Sequence, residues 1–503
     1  MPKNWSRIEN ISLIMGPILS LAICVFADFD PGRPEVTLTA AVAFLMAFWW
    51  ITEAVPLAVT ALLPMALFPL LGIMDGRQVA PVYFNHIIFL FLGGFFVALA
   101  MERWDLHRRV ALKVLLIFGT APRNLLLGFM VTAAVLSMWI SNTATTMVMV
   151  PIVLAVILKF EETDGPGSTR KTAIGLLLGI AYGSTLGGIA TLVGTPPNLV
   201  LVRIYEMRFP EAAEIGFARW MAFALPVSIL LLFLVWVLLC LFFLRGKSPK
   251  MDKEMLSKKY EEMGPMTYEQ KVVLAIFTML ALMWLLRSDL DFGIFTLPGW
   301  ANLLPYPSYL NDGSIAIGMA ILLFVIPART ERGGRIMDWD AAKRLPWNIV
   351  LLFGGGFALA EGFEVSGLSQ WLGSLLEIAQ GLHPLVLIAV VCLLITFLTE
   401  LTSNTATAQI LLPVIASLAL ATHLHPLWLM VPAALSCSLA FMLPVATPPN
   451  AIIFGSGKLR ISDMARIGFV LNLMGVMAVA VAMWLMGRAV FGVDFARLPD
   501  WLR

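Results

Sequence analysis

The sequence is poor in charge and in the side chains that carry out chemistry. Only 13% of its 503 residues are charged, about half the share of an ordinary soluble domain. Its 34 Lys+Arg nearly balance 32 Asp+Glu, and a net charge of +2 leaves no electrostatic footprint for nucleic acid. The four cysteines (Cys24, Cys240, Cys392, Cys437) lie far apart inside apolar runs. No CxxC pair exists among them, which excludes the common metal and redox motifs and leaves them as packing residues. The five histidines (His86, His107, His383, His423, His425) all avoid the polar interruptions described below. An HExxH helix, a Ser/His pair and paired intramembrane acids are missing too, so an intramembrane enzyme is excluded.

What the chain has is apolar length. Hydrophobic residues make up 59% and mean hydropathy is +0.87, more than one soluble core can hide. Runs near the ~20 residues of a spanning helix lie at 11–27, 36–54, 56–74, 84–101, 221–244, 270–287, 313–327, 347–362 and 466–489. The first follows Lys3 and Arg7 and reads as a transmembrane helix rather than a signal peptide, given the spans behind it. Segments 123–158 and 384–421 are too long for one span, and each is interrupted by a polar knot. Segments 172–205 and 427–458 are each broken by Thr-Pro-Pro-Asn. The stretches 103–119 and 363–380 are amphipathic, as helices lying along a membrane surface are.

Basic residues set the orientation. If 123–158 and 384–421 are re-entrant hairpins, the loops at 1–10, 102–123, 159–171, 245–271, 328–347 and 458–466 share one face and hold 25 of the 34 Lys+Arg. Single crossings would scramble that bias. The expectation is therefore eleven transmembrane helices and two opposed re-entrant hairpins in an all-α polytopic membrane protein. The N-terminus is then cytoplasmic and the C-terminus outside, with the plasma (inner) membrane as the expected location.

The chain contains one design twice. Ser141-Asn142-Thr143-Ala144-Thr145 recurs 262 positions later as Ser403-Asn404-Thr405-Ala406-Thr407, and the same offset carries Gly93-Gly94 onto Gly355-Gly356 and Pro151 onto Pro413. Thr195-Pro196-Pro197-Asn198 recurs 252 positions later as Thr447-Pro448-Pro449-Asn450. The loops after the hairpins, long at 159–171 and short at 421–426, absorb the slip. Two copies facing opposite ways are an inverted-topology repeat, the mark of a secondary transporter. A channel has no need of opposed hairpins around one site. The division expected is 1–120 (first scaffold and arm), 121–205 (first transport elements), 206–382 (connecting helix and second scaffold), 383–465 (second transport elements) and 466–503 (last helix and C-terminus).

Polar side chains in mid-membrane are costly unless paired, and irregular backbone there lines a cavity. Hairpin tips expose helix N-termini that favour anions and C-terminal carbonyls that favour cations. Pro196 and Pro197 donate no N–H, which predicts free carbonyls about a turn earlier. Those oxygens, with hydroxyls and amides of the facing knot, suit a hard cation such as sodium. Residues 124–158 contain no Arg and no Lys before Lys159, and 384–421 contain none. An anion there would be held by hydroxyls, amides, helix ends and bound cations and released once the cations leave, but the same lining equally admits a neutral substrate, and charge alone does not decide between them. Ser, Thr and Asn also simply join membrane helices, but duplication of both motifs in an inverted repeat favours the functional reading. Glu400, with Met138 as its counterpart, reads as a scaffold acid paired with polar neighbours. His86 reads as a helix-end residue, and Gln409, opposite Met147, has no evident role.

These repeated motifs resemble those of the divalent anion–sodium symporter family, carriers of succinate, malate and citrate, over nearly the whole chain. The resemblance implies a first sodium site at Ser137, Ser141, Asn142 and the backbone of Gly194. A second would use Thr399, Ser403, Asn404 and the backbone of Ala446. The dicarboxylate would meet Ser141, Asn142, Thr143, Thr195 and Pro196 on one side, and Ser403, Asn404, Thr405, Thr447 and Pro448 on the other. Ser137 and Thr399 stand four residues ahead of their knots, one turn away on the same face. The resemblance also implies a homodimer working by an elevator motion, with sodium co-transported rather than resident. The function expected is sodium-coupled symport of a C4 dicarboxylate. A sodium-independent exchanger, or sodium-coupled citrate or sulfate transport, are the alternatives within the family.

Overall fold

The computed structural model describes residues 7–119, 121–164, 170–244, 253–291, 295–330 and 334–493. These are almost entirely helical; a short ribbon pairing Leu290–Asp291 with Thr296–Leu297 is the regular sheet among them. Nine helices among the described residues are long and apolar enough to cross a membrane. Their outer faces keep large apolar side chains exposed, including Ile229, Phe233 and Phe242 of helix Phe217–Phe243. That surface suits lipid and not water.

Most apolar runs fold where the sequence places them. Run 36–54 becomes Pro34–Thr52, 221–244 becomes Phe217–Phe243, and 466–489 becomes Ile461–Phe491. Run 56–74 does not form one rod. It divides into Leu57–Thr60 and Leu63–Leu70, and Gly76–Tyr83 follows. Pro56 and Pro64 stand at the starts of the two pieces, where a missing N–H costs least. The first amphipathic stretch forms Leu106–Phe118, fastened by Arg109. Its guanidinium donates to Gln270 Oε1 (3.0 Å), Gly264 O (2.9 Å) and Met263 O (2.9 Å). The second forms Leu368–Leu376, and after a short 3-10 turn the chain bends through 119° into Pro384–Thr399.

Both polar knots interrupt helices. In the first copy a leading helix, Pro122–Ser137, gives way to a trailing helix, Asn142–Asp164; in the second, Pro384–Thr399 gives way to Asn404–Ala421. Both Thr-Pro-Pro-Asn segments also follow breaks, between Arg170–Ile189 and Pro196–Arg208, and between Leu427–Ser436 and Pro448–Gly455. The two copies interlock. The trailing helix of the first packs on Pro448–Gly455 of the second, and Asn404–Ala421 packs on Pro196–Arg208 of the first. Arg170–Ile189 is buried from Thr172 to its end at the centre. Glycine makes that possible: a Cβ on Gly183 would stand 2.7 Å from Met130 O of the leading helix. Tyr182 on the same central helix donates its hydroxyl to Phe441 O of the other copy at 2.8 Å. Within each copy the knot meets the break before Thr-Pro-Pro-Asn, Met138 at Thr191 and Glu400 at Phe441.

Candidate substrate and cation site

At the first knot, Ser141 ends the break and caps the trailing helix, its Oγ accepting from Ala144 N at 3.2 Å. Across the break, Ser137 Oγ donates to Asn142 Oδ1 at 2.5 Å. The Asn142 amide rests on Gly188, where a Cβ would come within 2.5 Å of Oδ1. The Gly188 carbonyl in turn faces Gly194, whose own Cβ would stand 2.5 Å from it. Ser137, Asn142 and Gly194 thus gather around Gly188, with Ser141 beside Asn142 in the chain. Thr146 Oγ1 donates to Asn142 O at 2.8 Å and lies 3.0 Å from Ser184 Oγ, which ties the trailing helix to the central one.

The second knot repeats the arrangement. Thr399 Oγ1 lies 2.8 Å from Asn404 Oδ1 and 2.9 Å from Cys437 O. A hydroxyl has one proton for these two acceptors. A cation among these three oxygens would meet lone pairs from each. The donor set of hydroxyl, amide and carbonyl oxygen fits sodium. Ser403 stands at the N-cap of Asn404–Ala421, and Thr405 and Ala446 are buried.

The Thr-Pro-Pro-Asn segments differ from expectation in one respect. Their prolines open helices instead of interrupting them, with Thr195 and Thr447 as extended N-cap residues. The carbonyls freed by the breaks lie five to eight residues before the first proline, not one turn, and asparagine claims them. Asn198 Nδ2 reaches Thr191 O at 2.7 Å, Ile189 O at 3.3 Å and Gly188 O at 3.4 Å. Asn450 Nδ2 reaches Ala440 O and Leu443 O, both at 3.1 Å. Positions 188 and 440, and 191 and 443, are repeat equivalents, so one clamp is built twice. Thr195 and Thr447 are buried, Pro196 is half-buried and Pro448 is exposed.

Several contributors escaped the sequence reading. Gly188 supports the Asn142 amide, and Thr191 donates to Met138 O while accepting from Gly194 N at 3.1 Å. The duplicated Asn198 and Asn450 carried a signal, since each ends a repeated motif; Gly188 and Thr191 carried none. Gln409 finds its role in packing: its Nε2 donates to Leu352 O at 2.8 Å, and its side chain fills the space that a Cβ on Gly356 would need. His86 begins helix His86–Arg103 and pairs with Glu206 at 3.0 Å. Glu400 accepts hydrogen bonds from backbone N–H groups and from Asn472, as a scaffold acid does.

Two broken helices and two knotted helix pairs, interlocked as an internal repeat inside a lipid-facing bundle, define a polytopic membrane transporter. Solved structures of that fold include MtrF of Neisseria gonorrhoeae, described with a class of antimetabolite efflux pumps. It has a TM-score of 0.56 at 11% identity, over 93% of this chain and 97% of that one. The YdaH transporter of Alcanivorax borkumensis gives 0.55 at 13%, over 91% and 99%. The particular family follows from sequence: the sodium:sulfate symporter transmembrane region matches residues 17–493, and the chain belongs to that family. Among its relatives is the sodium-dependent dicarboxylate transporter SdcS of Staphylococcus saprophyticus, 43% identical over 98% of this chain and 94% of the relative. SdcS of a bovine Staphylococcus aureus strain is 44% identical over the same shares.

Proposed function

We propose that the chain is a sodium-driven symporter that brings a C4 dicarboxylate such as succinate, fumarate or malate into the cell. The observation that carries this reading is the duplicated oxygen cluster. Ser137 with Asn142, and Thr399 with Asn404, pair hydroxyl with amide oxygen at equivalent places, in segments free of Lys and Arg. The names of the relatives point to the same ion and the same substrate class.

In this reading Ser137, Ser141, Asn142 and the Gly194 backbone hold one sodium ion. Thr399, Ser403, Asn404 and the Ala446 backbone hold another. The dicarboxylate binds between the knots, against Ser141, Asn142, Thr143, Thr195 and Pro196 on one side and Ser403, Asn404, Thr405, Thr447 and Pro448 on the other. Helix N-termini at Asn142 and Asn404 direct N–H groups to its carboxylates. With no fixed basic residue in the site, the sodium ions supply the positive charge that holds the anion. Substrate leaves when they leave, which couples the two fluxes.

The knotted helix pairs act as re-entrant hairpins entering from opposite faces, completing eleven spans with the N-terminus cytoplasmic and the C-terminus outside in the plasma membrane. Residues 121–205 and 383–465 move together as the carrier. Residues 1–120 and 206–382 form the scaffold of a homodimer, and the two sets slide past each other in an elevator cycle. Substrate-induced protection of the purified protein against heat tests the binding scheme. Succinate should raise the melting temperature in sodium and leave it unchanged in potassium; an equal rise in both would remove the sodium ions from the site.

A further inference from the structure

The two repeats close their breaks with the same pair of positions and opposite chemistry. In the first, the loop residue Thr191 uses its hydroxyl to hold the backbone of Met138. The equivalents of these residues are Leu443, which has no hydroxyl, and Glu400. Here the direction reverses: the side chain of Glu400 holds the backbone of the loop. Its Oε1 accepts from Phe441 N at 2.7 Å and Met442 N at 2.9 Å, and its Oε2 from Leu443 N at 3.0 Å. Asn472 Nδ2 adds a fourth donor at 2.8 Å. Three consecutive N–H groups converging on one carboxylate form an anion nest, filled here by a side chain of the protein that is 3% exposed.

The stretch so held lies between a residue that touches the second cation site and one whose backbone is assigned to it. Cys437, whose carbonyl touches Thr399, lies before it, and Ala446 and Thr447 lie after it. Asn450 grips the same stretch from its carbonyl side, and Tyr182 fixes Phe441 O. Glu400 supplies the remaining anchor, from the N–H side. Three of its donors fall on Oε1 and one on Oε2, so N–H groups of the nest surround the carboxylate.

We propose that Glu400 is the positioning residue of the second cation site, doing through a carboxylate what Thr191 does for the first through a hydroxyl. The proposal rests on the sodium-symport reading above. Glu400→Gln keeps the shape but sets an NH2 group against a backbone N–H. The measurement is a sodium titration of succinate uptake by reconstituted protein, alongside a succinate titration at saturating sodium.

Glu400→Gln should raise half-saturating sodium about tenfold, the effect of weakening charge-assisted hydrogen bonds. It should also make the sodium curve less steep, while the succinate KM at saturating sodium stays within about twofold. Glu400→Asp should recover part of the sodium affinity. Thr191→Val should shift the sodium curve likewise, and Thr191→Ser should restore it. An unchanged sodium curve with only the maximal rate reduced would overturn the proposal, as would a change confined to the succinate KM. If Glu400→Gln does not yield folded protein, Asn472→Ala removes one donor and leaves the acid in place. It should shift the sodium curve in the same direction by a smaller factor, and no shift overturns the proposal. Uptake by the unaltered protein that ignores sodium would overturn the symport reading and this proposal together. Sodium-dependent uptake with an unaltered Glu400→Gln sodium curve would overturn this proposal alone.

Discussion

Thr399 and Asn404 stand on opposite sides of a helix break with their side-chain oxygens 2.8 Å apart, and Ser137 and Asn142 repeat the relationship in the first copy. The break is what makes this possible. In an unbroken helix residues five apart diverge around the axis, and here the chain turns so that they converge.

If these oxygens ligate sodium, deleting either hydroxyl weakens cation binding first. Ser137→Ala and Thr399→Ala should each raise half-saturating sodium about five- to tenfold, the effect of losing one oxygen contact of about 1–1.4 kcal/mol. Ser137→Thr should stay near the parent. Sodium-dependent succinate uptake at fixed succinate reads this directly.

Substrate contacts should separate from cation contacts. Thr143→Ala and Thr405→Ala each remove a hydroxyl assigned to the dicarboxylate. At saturating sodium they should raise the succinate KM about tenfold or more, the effect of one lost hydrogen bond to a charged carboxylate. A shift confined to the sodium curve would move these threonines out of the anion subsite.

Gly188 is a packing constraint on the first cluster. An alanine there puts Cβ 2.5 Å from Asn142 Oδ1 and must push the amide aside. Gly188→Ala should lower uptake more than tenfold, with a stability loss of about 1–3 kcal/mol from overpacking. Gly455→Ala, where nothing lies within 4 Å of the added carbon, is the matched control and should transport normally.

Gln409 should matter for stability and not for ion binding. Gln409→Leu removes its bond to Leu352 O across two packed helices. A melting temperature lower by a few degrees, corresponding to about 1 kcal/mol, is expected with an unchanged sodium curve.

The helices and their breaks were readable because apolar length and duplicated polar motifs are local signals. The ends at Ser137 and Asn142, and at Thr399 and Asn404, fall at the knots themselves. What was not readable depends on residues distant in the chain. Nothing local tells that Asn198 and Asn450 would take up the carbonyls expected to lie free for a cation, or that Gln409 would answer Gly356 across a helix interface. The division of run 56–74 was legible in its prolines, which hydropathy averaging overlooks. The exchange of Thr191 for Glu400 is visible only when both repeats are folded and compared position by position.

Uptake of labelled succinate into liposomes containing the purified protein, with sodium or potassium outside and no substrate inside, separates symport from exchange. Accumulation is expected in sodium and none in potassium, reduced at limiting sodium by Ser137→Ala and by Thr399→Ala. Equal uptake in potassium that requires internal dicarboxylate would contradict it: the protein would be an exchanger, and the paired oxygens would serve the substrate alone.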